Sequence, residues 1–305
     1  LVYGHSEFVE GELKVPLIKG DVSDNDLIFN VLEKYDINSV MHFAAFAYVG
    51  ESIHDPKIYY ENNFIGSIRL INSIINYGLE KGLKKNLPFV FSSSCATYGV
   101  PEKLPIDENS SQDPINPYGA TKMFIERVLK DYKKAYNFNS ISLRYFNAAG
   151  SSSTTNIGED HNPETHLIPL AIKAAFDPTF TLTIFGNDYP TKDGTCVRDY
   201  IHVDDIADAH LKALFSLEKN TSSLCAAYNL GNGNGYSVNE IIKSVERVSG
   251  KKVKVKYGSR REGDPPILVA SANKAYEELG WNPKYKDIDN IINDALVWFN
   301  KRFLK

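Results

Sequence analysis

The sequence is poor in cysteine: Cys95, Cys196 and Cys225 are the only three in 305 residues, and no Cys-x-x-Cys occurs. A disulfide framework and a zinc knuckle are therefore not expected, and the usage fits a reducing, cytoplasmic compartment. No apolar run approaches the ~20 residues of a membrane span, and the start carries no basic-then-apolar leader pattern. An excess of positive charge is also missing. The formal net charge is -4, and the lysine pairs Lys84-Lys85, Lys133-Lys134 and Lys251-Lys252 are scattered, so no nucleic-acid partner is expected. There is no internal repeat and no low-complexity linker. One further absence bears on function. A dinucleotide site takes its phosphate turn from a glycine-rich segment after the first strand, and neither Gly-x-Gly-x-x-Gly nor Gly-x-x-Gly-x-x-Gly occurs near the start. Gly231-Asn232-Gly233-Asn234-Gly235 is glycine-rich but lies too late, and reads as a flexible turn.

What is present is an ordinary globular mix, 43% hydrophobic and 24% charged, long enough for one large or two intimately joined domains. Val15–Asp21 reads as a short strand closed by Gly20-Asp21, with Ser23 capping a helix near 24–35. A strand over Ile37–Ala45, a helix near 56–77 opened by Asp55-Pro56, a strand Phe89–Ser94, a helix from Pro117 to about 136 and a strand over 140–147 follow. Alternating strands and helices predict an α/β fold, a Rossmann-like doubly wound parallel sheet. After Asn147 the rhythm loosens. The pattern predicts a loop over 148–153, helices near 165–176, 204–218, 238–249, 273–280 and 288–303, and strands at Thr181–Phe185, Val197–Val203, Tyr228–Gly231 and 252–257. This divides the chain into residues 1–147, a cofactor domain, and 148–305, a substrate domain interleaved with the first.

The chemistry centres on Asn116-Pro117-Tyr118-Gly119-Ala120-Thr121-Lys122. Tyr118 and Lys122 share a helix face, and Pro117 suits a first turn. A lysine ammonium beside a phenol is expected to lower its pKa, tuning it for proton transfer at a sugar or alcohol hydroxyl. Tyr-x-x-x-Lys alone also describes a plain surface pair. Its company raises it: Ser92-Ser93-Ser94 closes one strand and Arg144-Tyr145-Phe146-Asn147 another, and ligands of doubly wound sheets bind at such strand ends.

Together with Gly20-Asp21, His42-Phe43-Ala44-Ala45, Val49-Gly50-Glu51-Ser52, Thr165-His166-Leu167-Ile168-Pro169, Phe185–Thr191, Val197–Val203 and Arg260-Arg261-Glu262-Gly263-Asp264, these segments resemble the extended short-chain dehydrogenase/reductases. Within that superfamily they resemble the UDP-glucose (UDP-galactose) 4-epimerases. The resemblance runs from about Gly20 to the end. It implies NAD as cofactor, a UDP-hexose substrate, a transient 4-keto sugar and a homodimer formed by helices 56–77 and 118–136. The family's glycine turn lies upstream of Gly20-Asp21, so the chain reads as truncated or as numbered without its first segment, with weak NAD affinity expected.

By the same resemblance, Tyr118 is the catalytic acid/base, Lys122 its partner and the holder of the nicotinamide ribose, and Ser94 the hydroxyl between sugar and phenol; turn capping suits Ser92 and Ser93 better. Asp21, Val22, Phe43, Ala44, Ala45, Asn62, Ser92, Tyr145 and Phe146 fall on the cofactor side. Asn147, His166, Leu167, Thr183, Phe185, Arg198, Arg261, Asp264 and Leu268 fall on the substrate side, with Arg198 and Arg261 as pyrophosphate anchors and Leu268 limiting room at the sugar 2-position. His166 stands where the family often has Asn, and Ala47 where members carry a lysine. As surface ion pairs instead, Arg198 would meet Asp199, and Arg261 would meet Glu262 or Asp264. Cys95 reads as a small buried hydrophobe. Alternatives are a UDP-xylose/UDP-arabinose 4-epimerase, a dehydratase or decarboxylase of the superfamily, and a non-catalytic nucleotide-sugar binder. Cys95 and Ala96 occupy the places where a dehydratase carries its extra acid, and no metal is implied.

Overall fold

A computed structural model describes residues 2–83, 85–155, 157–219, 224–261 and 264–304. After a π-helical turn at Phe8–Glu12 the chain forms α1 (Asn25–Lys34), β1 (Val40–His42), α2 (Val49–His54), α3 (Pro56–Tyr59), a second π-helical turn (Tyr60–Ile65) and α4 (Gly66–Glu80). Then come β2 (Phe89–Ser94), a 3-10 turn (Cys95–Tyr98), α5 (Pro117–Tyr136), β3 (Ser140–Tyr145), β4 (Asn147–Ala149), β5 (Ser151–Ser152) and β6 (Ile157–Gly158). The remainder is α6 (Leu167–Phe176), β7 (Leu182–Phe185), β8 (Val197–His202), α7 (Val203–Lys219), β9 (Cys225–Leu230), β10 (Gly235–Ser237), α8 (Val238–Ser249), β11 (Val255–Gly258), β12 (Ile267–Leu268), α9 (Asn273–Leu279) and α10 (Ile288–Phe303).

Strands β1, β2, β3 and β9 make a four-stranded sheet in that order, parallel throughout. Period-2 alternation sorts its side chains. Phe89 and Phe91 pack with Leu70, Ile71 and Ile74 of α4 and Ile125 and Leu129 of α5. Val90, Ile141 and Leu143 face the other way, into a layer with Ile206, Ala209 and Ala213 of α7 and with Trp281. Helices thus cover both faces, the doubly wound arrangement that the alternating pattern predicts. Each fully buried Phe or Leu contributes roughly 1.5–3 kcal/mol.

A second unit builds on β8, which pairs with β10 on one side and β12 on the other, while β4 also pairs with it. Its core joins α6, α8 and α10 through Ile168, Ile172, Ile241, Val245, Ile291 and Ile292. Among the described residues no helix is long and apolar enough to cross a membrane.

Several expectations change. Val15–Asp21 forms no strand, because it meets no ladder; the Val15 N–H goes to the Val9 carbonyl instead. The cap of α1 is Asp24, which accepts from Leu27 N at 3.0 Å, rather than Ser23. The strand at 37–45 keeps only Val40–His42. The helix near 56–77 is α3, a π-helical turn and α4; Asn63, buried in the turn, exchanges hydrogen bonds with the Phe46 backbone. The loop expected over 148–153 holds the end of β4 and the whole of β5, recruited by β8 and β6.

Candidate active site

Helix α5 starts where the sequence says it should. Asn116 is its N-cap, accepting from Gly119 N at 2.8 Å, and Pro117 occupies the first turn. Gly119 is required by contact: a Cβ there would stand 2.3 Å from the Ala96 carbonyl oxygen, so the helix start could not lie against the turn after β2. This close approach sets Tyr118 beside Ser94, whose hydroxyl favours the ionised phenol. Ser94 also accepts from Ala96 N at 3.1 Å. Ser94 is thus the serine that caps the turn; Ser92 and Ser93 are engaged elsewhere. Ser92 Oγ lies 2.6 Å from the Tyr145 hydroxyl, and Ser93 Oγ donates to Glu126 at 2.6 Å.

Lys122 is buried. Its Nζ donates to the Ser92 carbonyl oxygen at 2.7 Å and lies 5.7 Å from the Tyr118 ring centroid and 4.9 Å from that of Phe91. Desolvation pushes this ammonium down to about 7. Burial likewise pushes the Tyr118 phenol up, with a further rise from Tyr145. The expected lowering of Tyr118 is therefore corrected: loss of water at the phenol outweighs a lysine that is itself desolvated and hydrogen-bonded to β2.

The cofactor-side expectations fall at the carboxyl end of the parallel sheet and beside it. Phe43 and Ala44 follow β1 and are exposed, and Ala45 is half-buried. The Phe43 ring lies 4.5 Å from that of His210, whose buried Nε2 has no hydrogen-bond partner. The small side chains of Ala44 and Ala45, the unmatched nitrogen and the Ser92–Tyr145 pair fit the nicotinamide-ribose end of a dinucleotide, with Lys122 keeping ammonium protons beyond the one on Ser92. Asp21 makes a turn, accepting from Ser23 N at 2.8 Å, and the Ser23 hydroxyl together with this N–H holds its carboxyl below the usual range. Val22 packs on the α4 core. Asn62 donates to Asn63 Oδ1 at 2.9 Å. Phe146 is buried with Cys95, Tyr98, Ile106, Leu268 and Ala270.

On the other side, Arg198 lies in β8 in register with Leu268, and its guanidinium pairs with Asp264. Asp199 is not its partner: that carboxylate accepts from Asn232 N, Gly233 N and Ala270 N, while burial pushes it up to about 6. The Arg261 guanidinium stacks over Phe185 at 4.1 Å from the centroid; Glu262 lies outside the described residues. Asn147 is half-buried in β4, opposite Tyr200. Thr183 pairs in register with Lys256. Leu167 packs against the second-unit core, so its side chain is spent on packing. The His166 ring bonds to Glu159, with Glu164 at 3.6 Å. Leu268 is 8% exposed, sharing its small core with the neighbours of Ser94 and Asn147.

One buried network had no sequence signal. Glu126, one turn beyond Lys122, binds Arg144 at 2.5 Å, and Arg144 donates to the Tyr98 hydroxyl at 2.7 Å. Tyr98 in turn donates to Asn229 at 2.7 Å. It ties α5 to β3, β9 and the turn after β2, and these partners lie too far apart in sequence for spacing to reveal them.

The GDP-mannose 4,6 dehydratase family model matches residues 4–294. A UDP-glucose 4-epimerase of Rhizobium meliloti is 46% identical over 299 residues, 98% of this chain and 87% of that protein. The crystal structure of a UDP-glucose 4-epimerase from Brucella ovis in complex with NAD superposes with a TM-score of 0.85 at 46% identity, covering 92% of this chain and 84% of that one. A UDP-glucose 4-epimerase from Bifidobacterium longum, in complex with NAD+ and UDP, reaches a TM-score of 0.90 at 35% identity, with 99% and 89% covered. With likeness of this degree along nearly its whole length, the chain belongs to the UDP-glucose 4-epimerase family of the extended short-chain dehydrogenase/reductases.

Proposed function

We propose that this chain interconverts UDP-glucose and UDP-galactose through a transient 4-keto sugar, with NAD as its cofactor. The observation that carries the reading is the convergence of Tyr118 and Ser94 at the carboxyl end of a parallel sheet, with Lys122 one turn along α5 and anchored on the adjoining Ser92 carbonyl. NAD, when bound, supplies the hydride acceptor in one half of the reaction and the donor in the other. Tyr118 takes the 4-hydroxyl proton in the first half and returns it in the second. The group must therefore start as the phenolate: burial opposes that form, and the Ser94 hydroxyl and the Lys122 ammonium beside it favour it. Ser94 bridges sugar oxygen and phenol, and Lys122 places positive charge beside them.

The ketone must stay bound while it turns over, so the nucleotide needs an anchor. Arg198 and Arg261 hold the diphosphate, Asp264 the uridine ribose, Phe185 the uracil, and Asn147 and His166 the sugar-diphosphate side. Asp264 orients Arg198 through their ion pair. Asp21, Val22, Phe43, Ala44, Ala45, Asn62, Ser92, Tyr145 and Phe146 form the NAD side. Elimination chemistry is disfavoured by Cys95 and Ala96 after Ser94, since neither is an acid.

We also infer a division into residues 1–147 and 148–305, supported by the change of sheet at β4. A homodimer through 56–77 and 118–136 is supported by the stacked Tyr60 and Phe124, with Phe124 and Ile65 exposed. Three free thiols favour the cytoplasm. The test of function is conversion of UDP-galactose to UDP-glucose, run beside UDP-xylose and UDP-arabinose. Hexose turnover supports the reading; turnover of the pentoses alone overturns it.

A further inference from the structure

Glu159, His161, Glu164 and His166 spell Glu-x-His-x-x-Glu-x-His between β6 and α6. Each offers one ligand atom, and the four atoms lie within 4.8 Å of one another. His161 Nδ1 is 3.1 Å from Glu159 Oε1 and 3.8 Å from Glu164 Oε2. His166 Nδ1 touches Glu159 Oε1 and is 3.6 Å from Glu164 Oε1. Tetrahedral ligands 2.0–2.2 Å from one ion stand roughly 3.3–3.6 Å apart, so small rotamer shifts would bring these donors to that spacing.

The segment is held from outside the cluster. Trp298 Nε1 donates to the Glu159 carbonyl oxygen at 2.8 Å, Arg302 pairs with Asp160 at 2.7 Å, and the Tyr48 hydroxyl donates to the Pro163 carbonyl oxygen at 3.0 Å. Within it, Glu164 Oε1 accepts from Thr165 N and His166 N at 2.7 and 2.8 Å. That fixes the carboxylate and leaves Oε2 free to ligate, the kind of support that metal-binding carboxylates receive. Both histidines stay part-exposed, with 34% and 43% of their side chains accessible, so an ion can enter.

We propose that these four residues form a binding site for one borderline divalent cation of the zinc class. Two imidazoles and two carboxylates suit zinc or cobalt(II) better than magnesium or calcium, which favour all-oxygen sites. Four protein ligands close the coordination shell, so the role is structural. The ion clips the segment leaving β6 to the first turn of α6 and fixes the His166 ring against Glu159.

The test titrates metal-stripped full-length protein with cobalt(II) and reads the visible d–d band of a four-coordinate ion, alongside the melting temperature with and without zinc. One equivalent per chain and a zinc-dependent rise in Tm are expected. His161→Ala should remove the band. Glu164→Gln, whose amide oxygen can still accept the two backbone N–H groups, should weaken binding at least tenfold with the circular dichroism spectrum unchanged. Absence of a band in the unaltered protein, or an equal band in both variants, would leave the four side chains an ion-pair cluster only and overturn the proposal.

Discussion

Lys122 Nζ donates to the Ser92 carbonyl oxygen at 2.7 Å, so the lysine one turn from Tyr118 is anchored to strand β2. That contact fixes the ammonium without an ordinary salt bridge, and a buried lysine in such a setting titrates near neutrality. Proton affinity at this site follows from burial and geometry together, and four measurements examine it and its surroundings.

Tyr118→Phe removes the hydroxyl and keeps the ring. Turnover of UDP-galactose should fall by roughly 10²–10⁴-fold, while UDP affinity by calorimetry changes little. Near-normal turnover would assign the proton transfer to another group.

Lys122→Met tests the desolvated ammonium through stability. The folded value of about 7 lies below the ordinary 10.5. Between those values the unfolded chain binds more protons than the folded one, so this group makes stability rise with pH, by up to ~1.4 kcal/mol per unit. Its destabilising burden is complete below the folded value. Denaturant unfolding from pH 6 to 10 should show unaltered protein gaining on Lys122→Met across that window; a constant gap would contradict the depressed lysine.

Glu126→Gln leaves Arg144 buried without its counter-charge. Both side chains are nearly inaccessible, 2% and 3%. Breaking such a pair costs about 3–5 kcal/mol, which urea unfolding would register. A loss below about 1 kcal/mol would mean that the guanidinium finds another partner or water.

Leu268→Tyr addresses breadth of substrate. The leucine shares a core with Cys95 and Phe146, and the proposed gate requires that a phenol there project towards the sugar. Weak activity on UDP-N-acetylglucosamine should disappear while UDP-glucose and UDP-galactose turnover persists, a discrimination of roughly 1–3 kcal/mol. Overpacking should lower stability by a similar amount. Unchanged rates on the acetylated sugar would remove Leu268 from the gate.

The parts legible in the sequence are those fixed by local chemistry. Strand Phe89–Ser94 announces itself as an apolar run ending in hydroxyls, and α5 as Asn116-Pro117 followed by helical spacing. Strands β4 and β12 were not legible, because three- and two-residue segments become strands only by pairing with β8. Helix α2 is six residues long, too short to show a period. Of the candidate site, the helix face shared by Tyr118 and Lys122 could be read from spacing, whereas the choice of Ser94 among three serines rested on the resemblance. The direction of the Tyr118 shift could not be read, since it depends on how much water the folded chain removes. The Arg198 pairing with Asp264 joins residues 66 positions apart, whereas Glu-x-His-x-x-Glu-x-His is a local spacing that sequence inspection alone could have found.

The order of strands in the main sheet also sets a timetable for synthesis. β9, which completes that sheet beside β3, is encoded only at residues 225–230, and Ile206, Ala209 and Trp281, which cover Val90, Ile141 and Leu143, come from residues 206–281. At about 5–20 residues per second, making residues 148–230 takes roughly 4–17 s. Until β9 is made the β3 edge stays open, and until α7 is made the Val90, Ile141 and Leu143 face stays bare, the surface on which holding chaperones act. Codon changes that slow translation between Asn147 and Leu230 should therefore lower the yield of folded protein more than equal slowing after Trp281.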